Sequence, residues 1–380
     1  MRVLLCSTPM LGHFNPMVPL AWALRAAGHE VLAATTEDFA GQVSERGLPV
    51  VTLPSVDVKA VMGRDRQGRL APYHADAGER VLRSGRGWGR FGAHLLEGMS
   101  GIVSAWKPDL VLVDPVEYAG RLAAARLGIP VVEHAWGIWP DPLFAIGAQE
   151  ELAPELELFG LAGLPAPDER VDFCSPSLQR PGVAATAMRY VSVAGPAMLP
   201  GWLDEPRHRP LVCLTFGSIL PKVNPQGMLD LTSRLAEIVP TLGVDMAIAT
   251  DPATAEQLSP VSSGVVAAGW LPIDQVVPRC AAVLHYGGAG VTMMSTAAAV
   301  PQLVVELPIA DAPDHARRVA AAGLGICIEP SVLNADTVTE ALGDLLGDAS
   351  WRARAAKVAA EQEGRPLPVA VADELAARWG

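Results

Sequence analysis

Apolar residues along this chain fall into two alternating spacings. Val3 to Ser7 reads as a short strand buried on both faces, and it leads into the loop Pro9-Met10-Leu11-Gly12-His13-Phe14-Asn15-Pro16. From about Met17 the apolar positions Val18, Leu20, Ala21, Leu24 and Ala27 recur at helical spacing, and Gly28 suits the stop. Val31 to Thr35 returns to the strand pattern. Asp109 to Asp114 (DLVLVD) and Pro130 to His134 predict two more strands. Strand, loop, helix, strand is the opening of a doubly wound α/β domain.

A proline-rich connector then interrupts the pattern, from Gly195-Pro196 through Pro200, Pro206 and Pro210. Beyond it the pattern restarts. Leu211 to Phe216 predicts a strand ending in Gly217-Ser218, and Val244 to Ala249, Gly264 to Ala268, Ala282 to His285 and Gln302 to Leu307 predict four more, with helical segments between them. A chain of 380 residues exceeds what one hydrophobic core usually serves. The fold class read from this is α/β, with two doubly wound Rossmann-like domains, 1–205 and 206–365, facing a cleft lined by the C-terminal ends of strands. Ligands bind open α/β sheets at such ends. A last helical stretch, about 366–380, fits packing on either domain.

Composition narrows the choice of partners. Half the residues are hydrophobic and 18% are charged, which suits a folded protein, and the net charge is −12. That balance argues against a nucleic-acid or anionic-membrane surface, both of which reward clustered Lys and Arg. It leaves room for a small anionic ligand, because amides at a helix start bind phosphate locally. The five cysteines (Cys6, Cys174, Cys213, Cys280 and Cys327) are scattered, mostly in apolar strand-like stretches. Buried, unpaired thiols are expected of them, as in a reducing cytoplasm. No apolar run is long enough for a membrane span, and MRVLLCST is too short for a signal segment, so a cytoplasmic protein is expected. His29, His74, His94, His134, His208 and His315 share no ligand spacing, so no metal site is expected.

Two loops carry candidate chemistry. His285-Tyr286-Gly287-Gly288-Ala289-Gly290-Val291-Thr292 runs from a strand end into a helix start. Small residues there let the backbone approach an anion, and the N–H groups and helix dipole attract it. It is not the dinucleotide fingerprint, since Met293 stands at the third glycine, and no Lys-Ser/Thr pair follows to make a P-loop. Taken alone, a glycine-rich turn serves tight packing as readily as phosphate binding. His13 lies in the first strand–helix loop, where an imidazole of near-neutral pKa suits a general base. A histidine merely capping the next helix fits the residues as well. A histidine base needs a carboxylate on its other nitrogen; Asp114 at a strand end is the candidate and Glu117 the runner-up, although Asp114 also fits a helix cap or a solvated carboxylate.

The 285–292 segment resembles the HHGGAGTT loop of the GT-B-fold glycosyltransferases that decorate bacterial natural products, including macrolide and enediyne antibiotics. As in that family, it is followed by a helix, Val300-Pro301-Gln302-Leu303-Val304, an acidic residue, Asp311, and Ala316-Arg317-Arg318-Val319. Gly269-Trp270-Leu271-Pro272 is similar to the family's base-contacting element. Thr215-Phe216-Gly217-Ser218 is similar to its strand-end phosphate contact, and Gly12-His13 with Pro16 and Pro19 to its acceptor-side start. The resemblance spans most of the chain and is densest over about 211–330.

It implies that His285 and the 287–290 backbone (Gly287, Gly288, Ala289, Gly290) hold a diphosphate, assisted by Ser218. Trp270 and Leu271 would frame the base, Asp311 would reach the sugar, and His13 with Asp114 would be the base dyad. Three positions depart from the pattern. Tyr286 replaces a second histidine, Val291 a hydroxyl residue that bonds phosphate at this donor-site position, and Ala312 a glutamine. Losing that amide fits a deoxysugar donor. The expected activity is an inverting transfer of a (deoxy)sugar from a nucleotide diphosphate, TDP, to a small hydroxylated acceptor, with no cofactor or metal. The acceptor is expected beside Gly12 and against irregular stretches in 55–105 and 136–190, where Trp88 and Trp136 offer flat aromatic surface; core packing is the other reading of those tryptophans. The partners expected are small molecules, with no nucleic acid or membrane, and a homodimer is left open. A nucleotide-sugar epimerase and a non-catalytic partner protein remain the alternatives on this fold.

Overall fold

A computed structural model of the chain describes residues 1–71, 76–258, 263–309 and 311–380. His74 and its neighbours within the 55–105 stretch lie outside the described residues. The chain forms two compact units. The first is Met1–Phe173, Arg180–Val191 and Arg365–Gly380, and the second is Cys174–Gln179 and Ser192–Gly364.

The first unit is built on β1 (Arg2–Cys6), β2 (Glu30–Thr36), β3 (Val50–Leu53), β4 (Leu110–Val113), β5 (Val131–His134), β6 (Glu169–Asp172) and β7 (Thr186–Ala187). They form one seven-stranded sheet, ordered β3-β2-β1-β4-β5-β6-β7, with every pair parallel. The second unit holds β8 (Leu211–Thr215), β9 (Asp245–Ala249), β10 (Val265–Gly269), β11 (Ala282–His285), β12 (Gln302–Val305) and β13 (Gly325–Ile328). Its sheet is parallel too, in the order β10-β9-β8-β11-β12-β13. In each sheet the chain winds from a middle strand to one edge, then returns to start again on the other side. The reversal falls between β1 and β4 in the first unit and between β8 and β11 in the second. Helices cover such sheets on both faces, so the central strands are apolar throughout: β4, β8 and β11 are buried at every position.

Among its described residues the stretch 55–105 is mostly helical rather than irregular. Ala77–Trp106 is a single 30-residue helix, started by the Asp76 carboxylate accepting the Glu79 N–H and ended at Lys107 in the left-handed region (φ 50°). Seven glycines obscure the helix in the sequence, since glycine costs about 1 kcal/mol against alanine in a helix. The structure shows why they are there. A Cβ on Gly85 would lie 2.2 Å from the Phe144 carbonyl oxygen, and one on Gly89 would lie 3.0 Å from that of Ala148. On the facing helix, Leu143–Glu151, a Cβ on Gly147 would lie 2.1 Å from the Leu82 carbonyl oxygen. The two helices touch backbone to backbone. Part of 136–190 is regular as well, holding Leu143–Glu151, Ala153–Leu158, β6 and β7.

The strand β6 escaped the hydrophobic pattern because it reads Glu-Arg-Val-Asp. Its buried Glu169 accepts from the Thr186 hydroxyl at 2.6 Å and from Arg378 at 2.6 Å. Arg378 belongs to the closing helix Pro368–Trp379, which packs on Val18–Ala26 in the first unit. The five cysteines are free thiols; four are buried and Cys327 is partly so. Among the described residues no helix is long and apolar enough to cross a membrane.

The glycine seam is testable. Gly85→Ala or Gly147→Ala should destabilise the protein by about 1–3 kcal/mol, the usual cost of overpacking. Gly101→Ala, exposed on the same helix with open space around its Cβ, should stabilise it by about 0.5–1 kcal/mol. Urea denaturation followed by circular dichroism checks both directions.

Candidate active site

Parallel register brings the segments after β1 and β4 together. Cys6 pairs with Val113 at the ends of β1 and β4, so the chain leaves both strands side by side. Asp114, the first residue past β4, therefore meets the segment that follows β1. One of its carboxylate oxygens accepts from the Thr8 N–H at 2.7 Å, the Thr8 hydroxyl at 3.0 Å and the Ser7 hydroxyl at 3.3 Å. The other accepts from the Val116 N–H at 2.9 Å and lies 3.4 Å from His13 Nδ1. His13 sits in the short turn Leu11–Phe14 beside Gly12.

Burial alone would push the Asp114 carboxyl up. The facing His13 charge and the Thr8 and Val116 amides outweigh it and hold the group below the usual carboxylate range. Asp114 is thus a fixed negative charge with its own donors. The His13 contact is a charge contact and falls outside hydrogen-bond geometry, so Nδ1 has no hydrogen-bond partner here. Catalytic hydrogen bonds are often long before substrate arrives.

The runner-up Glu117 takes a different role. Its carboxylate caps Tyr118–Leu127 by accepting the Gly120 N–H at 2.9 Å. Burial, with Asp114 nearby, pushes its pKa up to about 8. Trp136 and Trp88 do come to His13, with ring centroids at 4.2 and 6.0 Å. They are 4% and 7% exposed, so they wall the imidazole rather than offer open surface.

The second unit repeats the construction. Thr215 pairs with His285 at the ends of β8 and β11, so Gly217-Ser218 leaves beside Tyr286-Gly287. The Tyr286 ring lies over both loops, within 3.3 Å of a Cβ built on Gly217 and 2.8 Å of one on Gly288. Gly288 caps the helix Ala289–Ala297, whose first turn holds Ala289 and Gly290. Free N–H groups at this start suit an anion. Trp270 and Leu271 follow β10 at the sheet edge, and Trp270 is 55% exposed.

Two expected donor contacts are corrected. His285 is fully buried; its Nδ1 accepts the Gly287 N–H at 3.0 Å and its Nε2 donates to Gln302 Oε1 at 3.0 Å. Burial drives its pKa down to about 4. It is a neutral ring that shapes the loop, and it lacks the free charged N–H expected of a phosphate ligand. Val291 is buried in an apolar cluster with Cys213, Val283 and Met294, so it packs the helix rather than facing a donor. Thr292 does not replace it, because its hydroxyl donates back to the Gly288 carbonyl at 2.9 Å.

Gln302 and His315 are the functional positions that the sequence reading missed. The Gln302 amide nitrogen donates to the Thr296 hydroxyl while its oxygen accepts from His285 Nε2–H. His315 contacts both Asp311 (3.2 Å) and the Gly287 carbonyl (2.8 Å). The signal for His315 was its i, i+4 spacing from Asp311 at a helix start.

The erythromycin biosynthesis protein CIII-like family matches this chain over residues 22–217, its N-terminal domain, and 233–378, its C-terminal domain. The L-demethylnoviosyl transferase of Streptomyces niveus is 39% identical over 99% of this chain and 98% of its own length. A glycosyltransferase of Streptomyces sp. SF2575, solved with thymidine diphosphate, has 34% identity and a TM-score of 0.88, covering 99% of each chain. A spinosyn rhamnosyltransferase solved with spinosyn aglycone has 29% identity and a TM-score of 0.86, covering 99% of this chain and all of the other. The two parallel sheets are therefore those of the GT-B glycosyltransferase fold.

The Glu117 environment generates a pH test. Its folded pKa, about 8, lies above the ordinary 4.5, so its protonated form stabilises the fold below about pH 4.5 and that contribution is lost as pH rises through 8. Glu117→Gln, which keeps an acceptor for the cap, should become more stable relative to the parent as pH climbs through this window. Melting temperatures of both proteins from pH 5 to 9 check the sign.

Proposed function

Because the chain belongs to the erythromycin biosynthesis protein CIII-like family of glycosyltransferases, we propose that it transfers a deoxysugar from thymidine diphosphate to a small natural product. Its relatives include deoxysugar transferases such as a 10-deoxymethynolide desosaminyltransferase of Streptomyces venezuelae, and the solved neighbours named above carry thymidine diphosphate in one case and an aglycone in the other. The first unit takes the acceptor and the second takes the nucleotide sugar.

The observation that carries the mechanism is the His13–Asp114 pair: an imidazole 3.4 Å from a buried carboxylate that the His13 charge and the Thr8 and Val116 amides keep ionised. With Nδ1 turned to Asp114, Nε2 is the nitrogen that accepts the acceptor's hydroxyl proton. The acceptor oxygen forms its bond to the anomeric carbon as the bond to the diphosphate oxygen breaks, and the electron pair leaves with the diphosphate. One displacement inverts the anomeric centre. Asp114 stabilises the imidazolium that forms and stays unprotonated. Trp88 and Trp136 keep water from the ring and fix its plane, with Gly12 leaving room beside it. The charge growing on the diphosphate is met by the amides of Gly288, Ala289 and Gly290 and by the helix Ala289–Ala297, with Ser218 assisting. Trp270 and Leu271 cover the base, and Asp311 takes sugar hydroxyls. The amides and helix start supply the positive potential that the departing diphosphate needs, so the proposed transfer runs without a metal ion.

Turnover of a thymidine diphosphate sugar should fall roughly 10²–10⁴-fold in His13→Ala, the usual worth of a positioned base. Thymidine diphosphate affinity by titration calorimetry should stay near that of the parent. Asp114→Asn should lose less, and the His13→Ala deficit should shrink with an activated phenol acceptor, which arrives partly ionised. Parental turnover of an ordinary alcohol by His13→Ala would place the base elsewhere. Turnover should also persist in saturating EDTA; loss rescued by magnesium or manganese would reject the metal-free mechanism.

A further inference from the structure

Gly287 is held from both sides by histidines in opposite states. Its N–H donates to His285 Nδ1 at 3.0 Å, and its carbonyl lies 2.8 Å from Nδ1 of His315, on the helix Ala312–Ala321. The other His315 nitrogen lies 3.2 Å from an Asp311 carboxylate oxygen. A carbonyl and a carboxylate only accept, so both nitrogens of the buried His315 ring must carry protons. His285 accepts on Nδ1 and donates on Nε2, so it must be neutral.

The loop is also seated against the start of the His315 helix. Gly287 has φ +92°, and a Cβ there would lie 2.8 Å from the Ala312 carbonyl oxygen. The peptide after Gly287 is planar and trans, so its carbonyl and the N–H of Gly288 point in opposite directions. Whatever holds the carbonyl therefore aims that N–H.

We infer that His315 is a positioning residue for the anion-binding loop: its imidazolium holds the Gly287 carbonyl and so turns the Gly288 N–H outward, to the diphosphate. The inference rests on the proposed donor role of this loop. It adds a residue that touches no substrate yet sets the direction of a donor that does. Asp311 and Asp314 face the ring from its own helix and His285 faces it from β11; Tyr286 lies near Asp311, and Arg318 pairs with Asp314 at 3.0 Å. Burial alone would lower the ring's pKa, but Asp311 and the Gly287 carbonyl raise it above the ordinary histidine value.

Two measurements test this. In protein labelled with ¹⁵N-histidine, the nitrogen shifts of His315 at pH 7.5 should be those of a doubly protonated ring; a singly protonated ring overturns the inference, whatever the variants do. Titration calorimetry with thymidine diphosphate then separates the contacts. His315→Leu should weaken binding roughly 10- to 100-fold, the usual loss on breaking a charge-assisted bond. His315→Asn, whose amide can stand where Nδ1 stands, should recover most of the affinity. His315→Gln, whose amide stands nearer Nε2 and Asp311, should remain weak. A role in filling space predicts no difference between Asn and Gln, so equal affinities would overturn the assignment, as would parental binding by His315→Leu. If the parent itself does not bind thymidine diphosphate, the donor reading fails first and the positioning role falls with it.

Discussion

A parallel sheet that reverses its winding leaves one place where neighbouring strands send their following segments apart. With the strand order reversing there, right-handed crossovers lead the chain after β1 and after β4 to opposite faces of their sheet, and after β8 and β11 likewise. Backbone at that point has no neighbouring crossover to pack beneath, so its polar groups must be met by side chains or by a ligand. Both candidate sites are answers to this constraint. In the first unit, Asp114 gathers the N–H groups of Thr8 and Val116 and the hydroxyls of Ser7 and Thr8. In the second, His285 and His315 hold the two polar groups of Gly287, and the first amides of the helix that starts at Gly288 have no carbonyl of their own helix to meet them.

Two buried charges result from this, and each is balanced differently. Asp114 stays ionised because the facing His13 charge and the N–H groups of Thr8 and Val116 outweigh the cost of its burial. His315 stays protonated because both of its neighbours are acceptors. His285, a few ångströms away in the same shell, is neutral because one of its neighbours is a donor and burial favours the uncharged ring. Histidine type and position in the sequence do not distinguish these two states; the partners do.

That difference marks what was legible in the sequence. The central strands were legible because a strand covered on both faces must be apolar along its whole length, and the loops after β1, β4, β8 and β11 carry His13, Asp114, Ser218 and the glycine run beside such strands. The peripheral strand β6 was not, since Glu169 is buried with Thr186 and Arg378 as partners supplied from farther along the chain. The helix Ala77–Trp106 was hidden by glycines whose reason lies on another helix. His285 was read as a phosphate ligand from its place in a motif, and only its two bonds, one to Gln302 and one to Gly287, assign it to shaping the loop. Val291 was an unusual letter in the motif and proved to be core. His315 had a partner four residues away, but the Gly287 carbonyl that gives it meaning is 28 positions distant.

The glycine seam bears on how the acceptor side of the protein can change. Trp88 sits between Gly87 and Gly89, so its distance from His13 depends on how deeply its helix is seated. That depth is fixed by carbonyl oxygens at Phe144, Ala148 and Leu82, which no side-chain substitution can trim. A larger residue at Gly85, Gly89 or Gly147 would lift the whole helix, carrying the indole with it and changing the wall around His13 without altering any residue of that wall. The width of the space beside His13 is therefore written partly in positions that never face it, and attempts to reshape that space by exchanging lining residues alone act within limits set by that seam.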